Sequence, residues 1–73
     1  MVDDIIHILK DVGKVDGEIL PDSDIYADLG VESVNSISIL LALEDKFSIA
    51  IDDNQFILAR TLAKLTELVK DSK

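Results

Sequence analysis

Hydrophobic residues recur every three or four positions near the start of the chain, which places them on one face of a helix. Between residues 2 and 12 this stripe consists of Val2, Ile5, Ile6, Leu9 and Val12, with Ile8 at its border. Gly13 follows directly and is predicted to end the helix in a left-handed conformation. The pattern therefore predicts a first helix over residues 2–12, with the single histidine, His7, on its exposed face.

Residues 14–32 form a long connection in which turn-forming residues are interspersed with apolar ones. The apolar positions are Ile19, Leu20, Ile25, Tyr26, Leu29 and Val31. Loops of this length without helices or strands of their own are uncommon, and regularly placed apolar side chains can anchor such a loop to a core. We therefore expect a packed loop and not a flexible tether.

Residues 33–47 repeat the helical spacing but are too apolar for a helix with one buried face. One arc carries Ile39, Leu40, Leu43 and Phe47, and a second arc beside Ser33 carries Val34, Ile37 and Leu41. The first arc is predicted to face the core. The second must be covered by another part of the domain or by a docking protein.

The last third of the chain predicts two more helices. A polar turn at residues 52–55 leads into a short third helix around Phe56, Ile57 and Leu58. Thr61 is a predicted N-cap for a fourth helix, whose inner stripe is Leu62, Leu65, Leu68 and Val69. A chain of 73 residues has one core at most. The prediction is an all-α fold, a small four-helix bundle with a long first loop and a short third helix, in a single domain over residues 1–73.

Composition and charge narrow the possible functions. Hydrophobic residues make up 48% of the chain, enough for a folded domain despite a net charge of −8. Six acids and no base lie between residues 15 and 32. Nucleic-acid binding needs clusters of Lys and Arg, so we expect no nucleic-acid partner. The acidic segment predicts partners with basic surfaces, or it only keeps the protein soluble.

Neither a signal peptide nor a membrane span is predicted. The amino terminus lacks a basic start, and the longest apolar stretch, residues 37–43, contains Ser38 and is too short to cross a bilayer. There is no cysteine for a disulfide or a thiolate metal site. A calcium loop starting at Asp22 is excluded because Ala27 and Ser33 stand where Gly and a bidentate Glu are needed. We expect a soluble, cytoplasmic monomer without a metal site.

No catalytic motif accompanies the serines of the chain. There is no nucleophile elbow, no zinc-binding HExxH, no glycine-rich phosphate loop, and no His and Asp pair that could activate a serine. Ser33 nevertheless lies at the predicted mouth of a helix, where backbone amides and the helix dipole favour a phosphodiester on its hydroxyl. The alternative is that Ser33 is only the N-cap of that helix.

Three segments resemble the acyl carrier protein family. They are DLGVESVNSI at residues 28–37, LEDKF at 43–47 and IDD at 51–53, and the similarity continues to about Val69 without a gap. The family pattern is D-L-G-x-D-S-L, followed by L-E-x-x-F and I-x-D. The helical bundle of this family is similar to the one that the periodicity predicts.

The resemblance implies a non-catalytic carrier. Ser33 would receive 4'-phosphopantetheine from coenzyme A, which makes the chain a phosphoprotein, and Glu32 and Asp28 would assist this modification. The implied partners are a phosphopantetheinyl transferase and acyl ligases, synthases or transferases with basic and apolar docking surfaces. The arm supplies the reactive thiol, while the protein supplies delivery and recognition.

The sequence also departs from the family pattern. Glu32 stands where the family has Asp, and residues 33–43 contain no acid. Docking would then depend on Val34, Ile37 and Leu41 and on the acids of the preceding loop more than on charges of the helix. We interpret this as a sign of a specialised carrier and not of the general fatty-acid one.

Three functions stay open on the sequence. The first is a carrier of acyl intermediates for fatty-acid or polyketide-type biosynthesis. The second is a discrete aminoacyl or peptidyl carrier, which would differ from the first in its cargo. The third is an unmodified acidic bundle that binds proteins through its second helix.

Overall fold

The computed structural model describes residues 1–72, which contain four α-helices. The helices are α1 (Val2–Asp11), α2 (Ser33–Phe47), α3 (Asp53–Leu58) and α4 (Leu62–Asp71). Between residues 1 and 72 the only β-type pairing is an isolated antiparallel bridge between Asp24 and Thr61. The predicted all-α bundle with a long first loop and a short third helix is confirmed. No helix in this part of the chain is both long and apolar enough to cross a lipid bilayer.

The centre of the core is built from pairs of residues four positions apart on three helices. Six large side chains are fully buried: Ile5 and Leu9 of α1, Ile39 and Leu43 of α2, and Leu65 and Val69 of α4. Residues at this spacing lie one above the other on a helix face. Burial of each of these side chains stabilises the fold by roughly 1.5–3 kcal/mol. The short α3 adds Phe56, which is also buried.

The buried face of α1 is rotated slightly from the predicted stripe. Ile8, placed at the border by the sequence pattern, is buried, whereas Val2 is 42% exposed. Val2 is the first residue of the helix, so it lies at the end of the stripe. The core contacts of α1 therefore begin at Ile5 and not at Val2.

The predicted left-handed conformation of Gly13 is wrong. The residue with positive φ after α1 is Lys14, at 61°. Gly13 is required for space: a Cβ there would lie 2.6 Å from the carbonyl oxygen of Leu9 and 3.0 Å from Cδ1 of Ile39. The missing side chain thus lets the end of α1 approach α2 closely.

The loop between α1 and α2 is packed, as predicted. Its buried side chains are Val15, Ile19, Ile25 and Val31, while Leu20 is exposed. Leu20 lies at the edge of a turn in which its carbonyl accepts from Ser23 N at 3.1 Å. Two backbone hydrogen bonds hold the loop against the α3–α4 connection and the first turn of α4. Ile25 N donates to Arg60 O at 2.7 Å, and Ala63 N donates to Pro21 O at 3.0 Å.

Side-chain caps define where the two C-terminal helices start. Thr61 Oγ1 accepts from Lys64 N at 3.2 Å, so the predicted N-cap of α4 is confirmed. Asp52 caps α3 in the same way, with its Oδ1 3.1 Å from Gln55 N. This cap starts α3 at Asp53, which is earlier than the apolar residues alone suggest.

Candidate functional site

Ser33 is the first residue of α2, and its side chain is exposed to solvent. The N-cap position belongs to Glu32, which has extended φ and ψ of −78° and 146°, and no side chain caps the helix. The Ser33 hydroxyl makes no hydrogen bond to any residue from 1 to 72. The interpretation of Ser33 as an N-cap is therefore wrong, and its hydroxyl has no structural role in the helix.

The residues just before Ser33 fix where its hydroxyl lies. Gly30 has a φ of 75°, a conformation that L side chains rarely adopt. The next residue, Val31, is buried, and its N–H donates to Ile25 O at 3.1 Å. A glycine turn followed by a buried anchor brings the chain out of the core at Glu32, so that Ser33 emerges at a defined point of the surface.

The two acids predicted to assist modification have different surroundings. Asp28 Oδ2 accepts from Asp24 N at 2.8 Å, so this carboxylate also closes the turn before Gly30. Glu32 is exposed, and its side chain does not cap α2. Both acids are thus exposed to solvent, and Asp28 is in addition held by its own loop.

A cleft of about 350 Å³ lies beside Ser33. Its walls come from the first loop, from α2, from α3 and from the α3–α4 connection: Tyr26, Ser33, Ser36, Phe56, Ile57 and Arg60. Ser36 lies one turn after Ser33, and its Oγ donates to Ser33 O at 2.6 Å. This cleft could not be predicted from the sequence, because its walls come from four separate segments of the chain.

Arg60 and Asp24 form a salt bridge with two hydrogen bonds at this end of the molecule. Arg60 Nε lies 2.9 Å from Asp24 Oδ2 and Nη2 lies 3.2 Å from Oδ1, while the guanidinium carbon lies 4.9 Å from the centre of the Tyr26 ring. The Arg60 hydrogen bonds, together with the N–H groups of Ala27 and Tyr26, lower the pKa of Asp24 to about 2. Burial raises the pKa of the Tyr26 phenol.

The second arc of α2 is open to solvent. Val34 is 74% exposed, Ile37 64% and Leu41 59%, so these three side chains lie on one uncovered apolar face. On α3, Ile57 and Leu58 are exposed as well. The sequence indicated that some of these side chains would be exposed, because Phe56, Ile57 and Leu58 are consecutive in a helix and cannot all face one core.

A groove of about 510 Å³ separates the exposed faces of α2 and α3. Its lining is mostly apolar and consists of Ser36, Ile37, Leu40, Leu41, Glu44, Asp53, Phe56 and Ile57. The groove and the cleft share Ser36, Phe56 and Ile57. The apolar surface of α2 is therefore continuous with the surroundings of Ser33.

The fold and this site together define a small helical bundle that presents an exposed serine with an unengaged hydroxyl at the start of its second helix. Residues 3–69 match the family described as "Phosphopantetheine attachment site". The chain belongs to this family of carrier proteins, which are non-catalytic and hold 4'-phosphopantetheine as a covalent prosthetic group.

Individual relatives agree with this assignment. Acyl carrier protein 2, mitochondrial, of Arabidopsis thaliana is 32% identical over 56 residues, which are 75% of this chain and 44% of that protein. The acyl carrier protein of Helicobacter pylori strain J99 is 27% identical over 74 aligned positions, covering 100% of this chain and 95% of the relative.

A solved structure shares the fold. It is the crystal structure of an engineered Bradyrhizobium japonicum glycine:[carrier protein] ligase complexed with carrier protein from Agrobacterium tumefaciens and AMP. The TM-score is 0.82 at 26% sequence identity, with 96% of this chain and 99% of the matched chain covered. In that structure the carrier protein is bound to a ligase.

The residues around Ser33 fit the prosthetic group of the family. The hydroxyl is exposed and makes no hydrogen bond within residues 1–72. It lies at the start of a 15-residue helix, whose dipole favours a negative charge. The adjoining cleft has the volume of a small-ligand site, and a cation, Arg60, is part of its lining. Ser33 is thus compatible with a phosphodiester on its oxygen.

Proposed function

We propose that Ser33 carries the 4'-phosphopantetheine arm and that the chain holds acyl intermediates as thioesters on it for fatty-acid or polyketide-type biosynthesis. The observation that carries this proposal is the exposed Ser33 hydroxyl at the start of α2, which neither caps the helix nor makes a hydrogen bond to any of residues 1–72. A serine that only stabilised its helix would accept a hydrogen bond from a backbone N–H of the first turn.

The chain contributes position and recognition, while the arm contributes the thiol that bears the cargo. Gly30 and the buried Val31 hold the start of α2, so the attachment oxygen has a fixed place relative to the docking face. Glu32 is exposed and can help a transferase to hold magnesium during attachment. Asp28 contributes by keeping the turn closed through its bond to Asp24 N.

Partners dock on the exposed apolar face of Val34, Ile37 and Leu41 in this proposal. The partners are a phosphopantetheinyl transferase and acyl ligases, synthases or transferases that present apolar and basic surfaces. The support is the 59–74% exposure of these three side chains together with a first turn of α2 that contains no acid. The protein acts as a cytoplasmic monomer, and the chemistry of the pathway belongs to its partners.

Intact-protein mass spectrometry tests the attachment. The purified chain is incubated with coenzyme A, magnesium and a broad-specificity phosphopantetheinyl transferase, beside a Ser33→Ala variant. We expect one phosphopantetheine on the wild type and none on the variant, with the same circular dichroism spectrum for both. A folded wild type that gains no mass with several transferases contradicts the proposal and favours the unmodified interaction module.

A second candidate cargo is an amino acid. The solved structure of similar fold is a complex with a glycine:[carrier protein] ligase, and this observation favours an aminoacyl or peptidyl carrier. The two cargoes are separated by offering activated fatty acids and amino acids to the modified chain with candidate ligases. The mass added to the arm identifies the cargo, and only an amino-acid increment supports the second candidate.

A further inference from the structure

Arg60 lines the cleft beside Ser33 and is the only charged residue among the six that do so within residues 1–72. It reaches the cleft from the α3–α4 connection, 36 positions after Asp24 in the sequence. Its neighbours in the cleft are hydroxyl-bearing or apolar: Tyr26, Ser33, Ser36, Phe56 and Ile57. An anionic group attached to Ser33 therefore has one cation within its own cleft.

The guanidinium of Arg60 is held in place before any ligand arrives. Asp24 binds its Nε and Nη2, and the Tyr26 ring lies 4.9 Å from its central carbon. An arginine has five N–H donors in a fixed plane, of which this pairing uses two. Of the three donors left over, one on each terminal nitrogen together form a second fork, the arrangement that suits two oxygens of a phosphate.

The negative charges around Ser33 would make a contact between Arg60 and a phosphate on Ser33 stabilising. Six acids precede Ser33 between residues 15 and 32, with no base among them. A phosphodiester on Ser33 adds one more negative charge next to Glu32 and close in sequence to Asp28. Charge-assisted hydrogen bonds from a fixed arginine would offset this repulsion without the ordering cost of a flexible lysine.

We propose that Arg60 binds the phosphodiester that joins the arm to Ser33. This contact orients the first part of the arm along the cleft beside Ser33. This inference rests on the proposed function, since it requires the arm on Ser33. Asp24 is the positioning residue, because it fixes the plane of the guanidinium. The contact would set the direction in which the arm leaves the protein.

The test compares apo and holo forms of four proteins: wild type, Arg60→Gln, Lys64→Gln and Asp24→Asn. Lys64→Gln removes the same charge from an exposed α4 position outside this cleft. We expect the holo-minus-apo difference in Tm to fall by about 4 °C in Arg60→Gln and to stay unchanged in Lys64→Gln. Asp24→Asn should lower the apo Tm and also reduce part of the holo-minus-apo difference, because the plane of the guanidinium is then less well fixed. An unchanged difference in Asp24→Asn would overturn the positioning role of Asp24.

Phosphorus NMR of the holo proteins provides a second readout that a purely structural role would not move. The resonance of the phosphodiester should shift in Arg60→Gln and not in Lys64→Gln. Arg60→Lys keeps the charge without the fork, so it should retain part of the Tm difference. This variant also replaces Arg60→Gln if the latter does not fold.

The outcomes separate this inference from the proposed function. If no arm can be attached to Ser33, both are overturned. If the arm attaches normally but Arg60→Gln and Lys64→Gln change the Tm difference and the phosphorus resonance equally, only the inference is overturned. Arg60 would then serve solely to tie the first loop to the α3–α4 connection.

Discussion

The carbonyl oxygen of Leu9 leaves no room for a side chain at Gly13. A Cβ there would lie 2.6 Å from that oxygen, a separation that requires the backbone to shift. We expect Gly13→Ala to lower the free energy of unfolding by about 2 kcal/mol, within the range for overpacked sites. Urea denaturation followed by circular dichroism measures this change.

Gly17→Ala is the matched control for this prediction. Nothing lies within 4 Å of a Cβ at Gly17, but its φ of +107° strains any L side chain. Gly17→Ala should lower the free energy of unfolding through backbone strain alone, by about 1 kcal/mol. A smaller loss for Gly13→Ala than for Gly17→Ala would show that the backbone at Gly13 can shift away from the carbonyl oxygen of Leu9 at little cost.

The stability of the folded protein should depend on the protonation of Asp24 at low pH. Its pKa is about 2 in the folded protein against an ordinary value of 3.8, chiefly because Arg60 donates to its carboxylate. The stabilisation is complete above pH 3.8 and is lost as the pH falls through 2, because the folded state binds this proton less readily than the unfolded state. Between these pH values the Tm of the wild type should fall more steeply than that of Asp24→Asn. Parallel pH profiles would contradict the assignment.

Single residues also show where sequence patterns stop being informative. The N-cap at Thr61 was predictable because a cap and the helix it serves are adjacent in sequence. The Asp24–Arg60 pair was not, since its members are 36 positions apart and each could have been an ordinary surface charge. Ser33 was identified by resemblance to a family motif. Only the structure shows that the Ser33 hydroxyl does not cap the helix.

At the scale of elements, α2 has one face in the core and another in water. Leu41 is 59% exposed and Leu43, on the same helix, is fully buried. We expect Leu41→Arg to change the free energy of unfolding by no more than about 0.5 kcal/mol. Partner turnover, measured as the rate of arm attachment by a phosphopantetheinyl transferase, should fall because the apolar docking face is interrupted.

The control on the same helix is Leu43→Ala. Truncation of this core residue should cost about 3 kcal/mol, as expected for a large-to-small change in a packed interior. Thermal melts of the two variants give the comparison directly. Global unfolding of Leu41→Arg would mean that the second arc of α2 belongs to the core.

The helices themselves were predictable from periodicity, and their ends were less so. α1, α2 and α4 carry long apolar stripes that the sequence displays directly. α3 has six residues, too few for a stripe, and its start depends on the Asp52 cap. The α2–α3 groove could not be predicted, because it depends on how two helices lie relative to each other in space.

At the scale of the whole molecule, like charges repel one another. The chain carries 15 acids against seven Lys and Arg, and six of the acids are concentrated between residues 15 and 32. Salt screens this repulsion, since the Debye length shortens from about 30 Å at 0.01 M to about 10 Å at 0.1 M. We expect the Tm to rise over that range of sodium chloride. A Tm that does not respond to salt would show that the acids are too well solvated to destabilise the fold.

The junction between the first loop and the α3–α4 connection also has a consequence for biosynthesis. Ile25 is bonded to Arg60, and Pro21 is bonded to Ala63. Both Arg60 and Ala63 are synthesised well after Ser33. A nascent chain that ends at residue 58 contains the whole motif around Ser33 but none of these anchors. The loop that fixes the start of α2 can therefore reach its native arrangement only after residues 60–63 have been synthesised.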